Sequence, residues 1–296
     1  NLARPAFLRM VRDILRFNAG AEHAAAPGMS VDDLVREMRL GRWFRDFYLL
    51  PVAGAIWSSP AEEIGCFPAE TLLRFFRNHA LLGATGQHQW YTVTGGSREY
   101  VSRLEHALRG RGVRIETGTP LRAVLRGPEG PRVALDGRPP EEFDEVILAC
   151  HADQALALLD RPGAAERQVL GAIGTRPNRA VLHADPGFMP RRRRAWSSWV
   201  YRSDGEGGAS VTYWMNKLQN IPEEDPLFVT LNPERTPHHV YDETVFRHPV
   251  FDAAALAAQA RLPEIQGEGG VWFGGAWARN GFHEDGIASA ARIARA

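Results

Sequence analysis

Lysine is almost absent from this chain: Lys217 stands alone among 35 basic residues, and the other 34 are arginine. Chemistry that needs a lysine amine therefore has one candidate. Cysteine is nearly as scarce, with Cys66 and Cys150 only. Two cysteines give no disulfide framework and fit a reducing cytoplasm. Cys150 ends the apolar run Val146-Ile-Leu-Ala-Cys150 and reads as a buried small residue. Net charge is also missing, because 35 acidic residues balance the 35 basic ones. Overall charge thus points to neither nucleic acid nor an acidic membrane as partner. No apolar run approaches the ~18 residues of a membrane span, and no secretory leader pattern is visible. The chain lacks a Gly-x-Ser-x-Gly elbow, which sets aside that class of serine hydrolase. It lacks metal-ligand spacing too: His238, His239 and His248 lie near Asp242 and Glu243, but adjacent histidines on an extended chain face opposite ways. A Gly-x-Gly-x-x-Gly turn is equally absent. The nearest clusters, Gly205-Glu-Gly-Gly208 and Gly267-Glu-Gly-Gly270, have no third glycine at that spacing and no helical pattern behind them.

What remains is an ordinary globular composition, 44% hydrophobic and 24% charged over 296 residues, enough for one large lobe or two smaller ones. The densest information lies in residues 271–296. The apolar run Val271-Trp-Phe273 meets Gly274-Gly275, where missing Cβ atoms let another group touch the backbone. A short loop follows, and Glu284, Asp285 and Gly286 then open an amphipathic helix carrying Ile287 and Ile293. Strand, glycine contact point and helix N-terminus follow one another directly. Free N–H groups and the positive dipole end suit an anionic or electron-rich ligand edge. An ordinary strand-to-helix turn without ligand has the same pattern, so both readings stand at this point.

Along the chain, residues 1–88 read as mainly helical. Apolar positions Phe7, Leu8, Val11, Ile14 and Leu15 predict a helix over 5–17. Ser30-Val-Asp-Asp33 is a capping-box-like start, and Pro68 opens a further helix. The aromatic and aliphatic stretch 43–57 reads as core or as the lining of an apolar pocket. Residues 89–160 predict short strands over 90–94, 113–115, 121–125, 132–135 and 143–149, with a helix through Tyr100, Val101, Leu104 and Leu108. Residues 161–250 predict an antiparallel sheet from 180–183, 196–201, 211–214 and 228–231, since turns connect these pieces. The run Arg191-Arg-Arg-Arg194 reads as a solvated loop, with recognition of a phosphate or an acyl head group as the alternative.

Phe273-Gly-Gly-Ala-Trp277 followed by Gly281-Phe-His-Glu-Asp-Gly286 resembles the carboxy-terminal flavin motif of the FAD-dependent amine oxidase-like superfamily, in its bacterial FAD/NAD-binding oxidoreductase branch. Trp90-Tyr-Thr-Val-Thr-Gly-Gly-Ser-Arg98, Trp196-Ser-Ser-Trp199, Val211-Thr-Tyr-Trp-Met-Asn216, Phe228-Val-Thr-Leu-Asn-Pro233 and His248-Pro-Val-Phe-Asp252 extend the resemblance over most of the chain. It implies a mixed α/β (α+β) fold, a two-lobed flavoprotein of the amine oxidase type. Residues 89–160 and 251–296 would belong to the FAD lobe. Residues 1–88 and 161–250 would form a substrate lobe with helices and an antiparallel sheet. The implied cofactor is FAD, and the implied reaction is hydride transfer from a substrate C–H to flavin N5.

The same resemblance implies cofactor contacts. Gly274, Gly275 and Ala276, with Trp277, would run beside the ribityl and pyrophosphate portion. Backbone N–H groups near Phe282, His283, Glu284, Asp285 and Gly286 would face the pyrimidine edge, and the backbone of Leu121 would meet adenine. For the side chains of His283 and Asp285, helix capping and dipole matching are the competing reading. Lys217 is the one residue that could hold a water against flavin N5; a surface lysine is its alternative. Such flavoproteins carry the ADP half of FAD on a Gly-x-Gly-x-x-Gly turn, which this sequence does not contain. The expectation is therefore a carboxy-terminal portion lacking about 100 residues, one βαβ unit and its extensions, and binding FAD poorly alone. The substrate class expected from the aromatic stretch 43–57 and from Trp196, Trp199 and Trp214 is a small molecule, apolar or lipid-like. A cofactor-free binding domain on the same scaffold, and a flavin used for isomerisation, are the other readings.

Overall fold

The computed structural model describes residues 4–57, 59–83, 85–86, 88–89, 91–203 and 209–296. Trp90 and the cluster Gly205-Glu-Gly-Gly208 lie outside the described residues. Helices α1 (Pro5–Ala24), α2 (Val31–Glu37), α3 (Arg42–Phe44), α4 (Leu50–Trp57), α5 (Ala61–Cys66), α6 (Ala69–Asn78) and α7 (Ser97–Gly110) come first, with a π-helical stretch, Arg45–Leu49, between α3 and α4. Strands β1 (Leu121–Gly127), β2 (Gly130–Leu135), β3 (Glu141–Glu142) and β4 (Val146–Leu148) lead to α8 (Ala152–Leu158) and α9 (Ala164–Gly171). Then come β5 (Thr175–His183), β6 (Trp199–Ser203), β7 (Ala209–Trp214), α10 (Met215–Gln219), β8 (Phe228–Leu231) and β9 (Val240–Pro249). The chain closes with α11 (Ala253–Arg261), β10 (Val271–Phe273) and α12 (His283–Ile293). No helix among the described residues is long and apolar enough to cross a membrane.

Two compact units share the chain. The first takes Asn1–Ala107 and Pro177–Phe246, the second Leu108–Arg176 and Arg247–Ala296. Local chemistry sets several boundaries of the first unit. The Asp33 N–H donates to Ser30 Oγ at 3.1 Å and the Ser30 N–H returns to the Asp33 carboxylate at 3.0 Å, the reciprocal cap that starts α2. Pro68 caps α6. Helix α1 runs past the predicted end at residue 17, because Phe17 and Ala21 continue its buried side. Phe17, Phe44 and Phe76 form an aromatic nucleus, with ring centroids 5.2 and 6.3 Å from Phe17. The residues of 43–57 mostly serve this core: Phe44, Leu49, Leu50, Ala53 and Trp57 are buried, while Phe47 is 65% exposed. The unit's sheet has the strand order β6-β7-β8-β5-β9. Its β6–β7, β7–β8 and β5–β8 pairs are antiparallel, as the turn-connected pattern predicts.

The second unit combines an antiparallel sheet, β1-β2-β3, with a parallel pair, β4 and β10. Val271, Trp272 and Phe273 lie opposite Val146, Ile147 and Leu148. Val124, Leu148, Ala155, Val169, Leu170, Ile265, Val271, Phe273 and Trp277 lie in its core. Glu166 is fully buried there against Arg126, with Arg126 Nη1 2.9 Å from Glu166 Oε2.

Four strand expectations need correction. Residues 113–115 form no strand: β-propensity alone gives no ladder, and they have no strand partner among the described residues. Residues 91–94 are likewise irregular. Trp196 precedes its strand instead of starting it; its indole N–H donates to Pro190 O at 2.8 Å, and β6 begins at Trp199. The expected strand over 143–149 shrinks to β4, where Val146 and Leu148 are buried but Ile147 is 56% exposed. Cys150 is half-buried and Cys66 is exposed.

Candidate cofactor site

The junction between β10 and α12 is built by a few specific groups. On one side β10 pairs with β4, and the ladder continues as the Gly274 N–H donates to Leu148 O at 3.0 Å. On the other side the Gln266 amide replaces a strand. Its Nε2 donates to Phe273 O at 2.7 Å, and its Oε1 accepts the Phe273 N–H at 2.8 Å. The two glycines then serve different ends. A Cβ on Gly274 would stand 3.0 Å from Ile293 Cδ1, so its bareness admits α12. Gly275 has φ +152°, and a Cβ there would lie 2.6 Å from Trp277 Nε1, so only glycine makes this turn. Its N–H donates to Ser289 Oγ at 2.9 Å, and that hydroxyl donates to Gly286 O at 2.8 Å. Ser289 therefore ties the turn to the helix.

The turn and the helix start meet. A Cβ on Gly286 would be 3.8 Å from the Ala276 nitrogen. The N–H groups of Ala276 and Glu284 have no acceptor among the described residues. The next N–H groups, of Asp285 and Gly286, go to Phe282 O at 3.0 and 3.1 Å. Two donors without an acceptor among the described residues, one in the turn and one at a helix N-terminus, leave hydrogen-bonding capacity that an electron-rich group could take. A flavin ring has such a group at its edge, and the donor set fits it.

The individual side chains sort differently. Trp277 is 2% exposed, and its indole N–H donates to Cys150 O at 2.8 Å. Its ring is a core element, and its carbonyl accepts from Gln259 Nε2 at 2.8 Å. Asp285, 6% exposed, accepts the Phe282 N–H at 3.1 Å and lies 3.7 Å from Arg279. That is the capping role. His283 and Glu284 are exposed at the helix start. Leu121 opens β1 opposite Leu135, half-buried against the same unit's core. Lys217 is exposed on α10. Ser289, Gln259 and Gln266 went unread in the sequence. Ser289 carries a faint signal, three residues after Gly286 in an alanine-rich helix. The glutamines carry none, because a side-chain amide bonded to distant backbone has no local pattern. Beside this junction a cleft of about 430 Å³ is lined by Leu262, Pro263, Trp272, Phe273 and Ile293, among others.

The chain thus combines a mixed α/β unit, with its parallel β4–β10 pair, and a unit of helices and antiparallel sheet. The family model for flavin containing amine oxidoreductase matches residues 38–192, more than half of the chain, and the chain belongs to that family. The match ends ahead of the glycine turn. Solved structures repeat the fold over nearly the whole chain. Cyclohexylamine oxidase from Brevibacterium oxydans IH-35A superposes with TM-score 0.65 at 12% identity, covering 100% of this chain and 76% of that one. An A394C mutant of putrescine oxidase gives TM-score 0.64 at 16% identity, covering 98% and 76%. The CLA-producing fatty acid isomerase from P. acnes gives 0.62 at 10%, covering 99% and 75%. At such identities these are likenesses of fold. No curated protein matches the chain by sequence. The family carries a flavin cofactor, and its members are oxidoreductases.

Proposed function

We propose that the protein acts as an FAD-dependent oxidoreductase. FAD, when bound, supplies the acceptor for a hydride from a substrate C–H. The observation that carries this reading is that the N–H donors of Ala276 and Glu284 have no acceptor among the described residues, where the turn meets α12 at Gly286. Their role is to stabilise negative charge at the cofactor edge, with the α12 dipole adding to it. Gly275 and Ser289 hold that geometry. Leu121 stands for the adenine contact, and Gly274 for close helix approach.

The ADP half needs a Gly-x-Gly-x-x-Gly element that the 296 residues do not include. β4 supports a place for it. β10 is its only strand neighbour among the described residues, and Ile147 is 56% exposed beside the open edge. Parallel sheets are normally larger and covered on both faces. We assign that edge to the strand of such an element, supplied by further sequence or by another chain. The 296 residues alone then bind FAD poorly and turn over little. For the substrate we keep a small apolar class. Of the aromatic residues that motivate it, Phe47 and Trp199 expose 65% and 42% of their surface, while Trp57 and Trp214 are buried.

The test is to fuse a Gly-x-Gly-x-x-Gly strand-turn-helix element ahead of Asn1, add FAD and record the spectrum. The fused protein should retain a band at about 450 nm, the oxidised flavin absorption of this cofactor class, and the unfused chain should not. A fused, folded protein without that band overturns the reading in favour of a cofactor-free binding domain. Turnover of an unsaturated fatty acid without consumption of an electron acceptor would assign the flavin to isomerisation instead. The fold shared with a fatty acid isomerase makes that the second reading.

A further inference from the structure

The zero net charge of the chain conceals a local separation of charge along α1. This helix buries Asp13, Phe17 and Ala21, at i, i+4 and i+8. At about 100° per residue, Leu8, Val11 and Leu15 form a stripe on the opposite side, and they are 52%, 38% and 54% exposed. Arg9, Arg12 and Arg16 repeat at i, i+3 and i+7 along the stripe's flank, and Arg4 stands in the turn before it. Asp13 is the only carboxylate in residues 4–21. It is turned inward, with its side chain 4% exposed and accepting the Gly41 N–H at 2.9 Å. The outward surface of these turns is therefore apolar and cationic, with no acid. Arg16 donates to Met38 O at 2.7 Å, but Arg12 reaches Asp13 only at 3.4 Å and keeps its side chain 65% exposed. Phe47, 65% exposed, lies just after α3, the helix that packs on α1.

We propose that α1 docks on an anionic lipid surface, its leucine stripe entering the headgroup boundary and its arginines meeting the lipid charges. An exposed apolar stripe flanked by arginines is the composition of helices that lie in the plane of a membrane interface. A second copy of this chain fits the face less well, because an antiparallel pair of such helices about a two-fold axis sets arginines against arginines. The inference goes beyond the flavin reading and does not depend on it, since the binding is measured without cofactor.

The experiment is co-sedimentation of the full chain with phosphatidylcholine vesicles, and with vesicles that also contain phosphatidylglycerol. The chain should sediment with the anionic vesicles at least ten-fold more tightly than with neutral ones, and high salt should weaken it. Leu8→Ser with Leu15→Ser, and separately Arg9→Glu with Arg12→Glu, should each weaken binding on the order of ten-fold or more, with helicity and melting temperature kept. Arg191→Glu with Arg194→Glu, in the other basic run, should leave it unchanged. Equal binding to neutral vesicles, equal loss in the Arg191/Arg194 variant, or no vesicle binding overturns the proposal. So does a dimer that the Leu8/Leu15 variant dissolves.

Discussion

The two units hold together by different means, and the difference bears on where function can sit. The first is built from large rings and side-chain burial: Phe17, Phe44, Phe76 and Phe228 are fully buried. Its one buried imidazole among the described residues, His183, is folded into that interior. The ring accepts the Asp185 N–H at 3.1 Å through Nδ1 and reaches Thr230 Oγ1 at 2.8 Å through Nε2. The second unit's junction is built from backbone. Gly274, Gly275 and Gly286, two glutamine amides and Ser289 position peptide groups, and they leave two N–H donors without acceptors. A packed unit fixes its shape through volume, whereas a backbone junction fixes the direction of donors. The second arrangement leaves backbone hydrogen-bonding capacity for a ligand.

The contrast predicts a ranking of mutational damage. Phe17→Ala removes the centre of the aromatic nucleus and should cost about 3–5 kcal/mol, read as the largest drop in denaturant midpoint among these variants. A smaller loss would mean that the first unit rests on some other centre. Acid should separate the units next. Burial pushes the His183 imidazole down to about 4, with Asp185 opposing and Arg235 adding. The unfolded chain therefore takes up a proton near pH 6.5 that the folded chain refuses. The stability tied to His183 is complete above pH 6.5 and falls, by ~3 kcal/mol at most, as the pH drops toward 4. Burial alone would raise the Glu166 carboxyl, but Arg126 and the Gly163 N–H hold it below its ordinary value. Its contribution persists down to about pH 4.5 and is lost below that. Hydrogen exchange against pH should show the first unit opening at milder acid than the second. His183→Gln should flatten the difference, and simultaneous opening in the wild type would reject it.

Gly275→Ala ranks third. Alanine at φ +152° is strained, and its Cβ strikes the Trp277 indole. A cost of ~2–3 kcal/mol is expected, seen as exchange of the β10 and α12 amides while the first unit stays protected. Unchanged protection there would show that the turn relaxes at no cost.

The sequence revealed the junction because its determinants are local. Two glycines after an apolar run, then acidic residues ahead of a periodic stretch, describe a turn and a helix start without any distant partner. The α2 cap is legible for the same reason, since Ser30 and Asp33 answer each other. Legibility failed where a property depends on what lies opposite. Residues 113–115 have strand-like side chains but no neighbouring ladder. In α1, Leu8 and Phe17 look alike as periodic apolar positions, yet one faces solvent and the other the core. Trp277 sits inside the flavin-like pattern, but a carbonyl at Cys150, 127 residues away, claims its N–H. Gln266 acts as a strand only because Phe273 happens to lie within reach.

Ser289→Ala should have the smallest effect on stability and the most specific one. The lost hydroxyl accepts one part-buried N–H and donates to one carbonyl. Leaving Gly275 N–H unsatisfied costs on the order of 1–2 kcal/mol. The core behind it is untouched, so the melting temperature should shift by a few degrees at most. What changes is the tether that holds the Ala276 donor against the first turn of α12. In protein completed with a Gly-x-Gly-x-x-Gly element, FAD affinity should fall by about ten-fold or more, and Ser289→Thr, which keeps the hydroxyl, should restore most of it. If both variants bind FAD like the wild type, the paired donors do not depend on Ser289, and the contrast between a packed unit and an aimed one loses its main support.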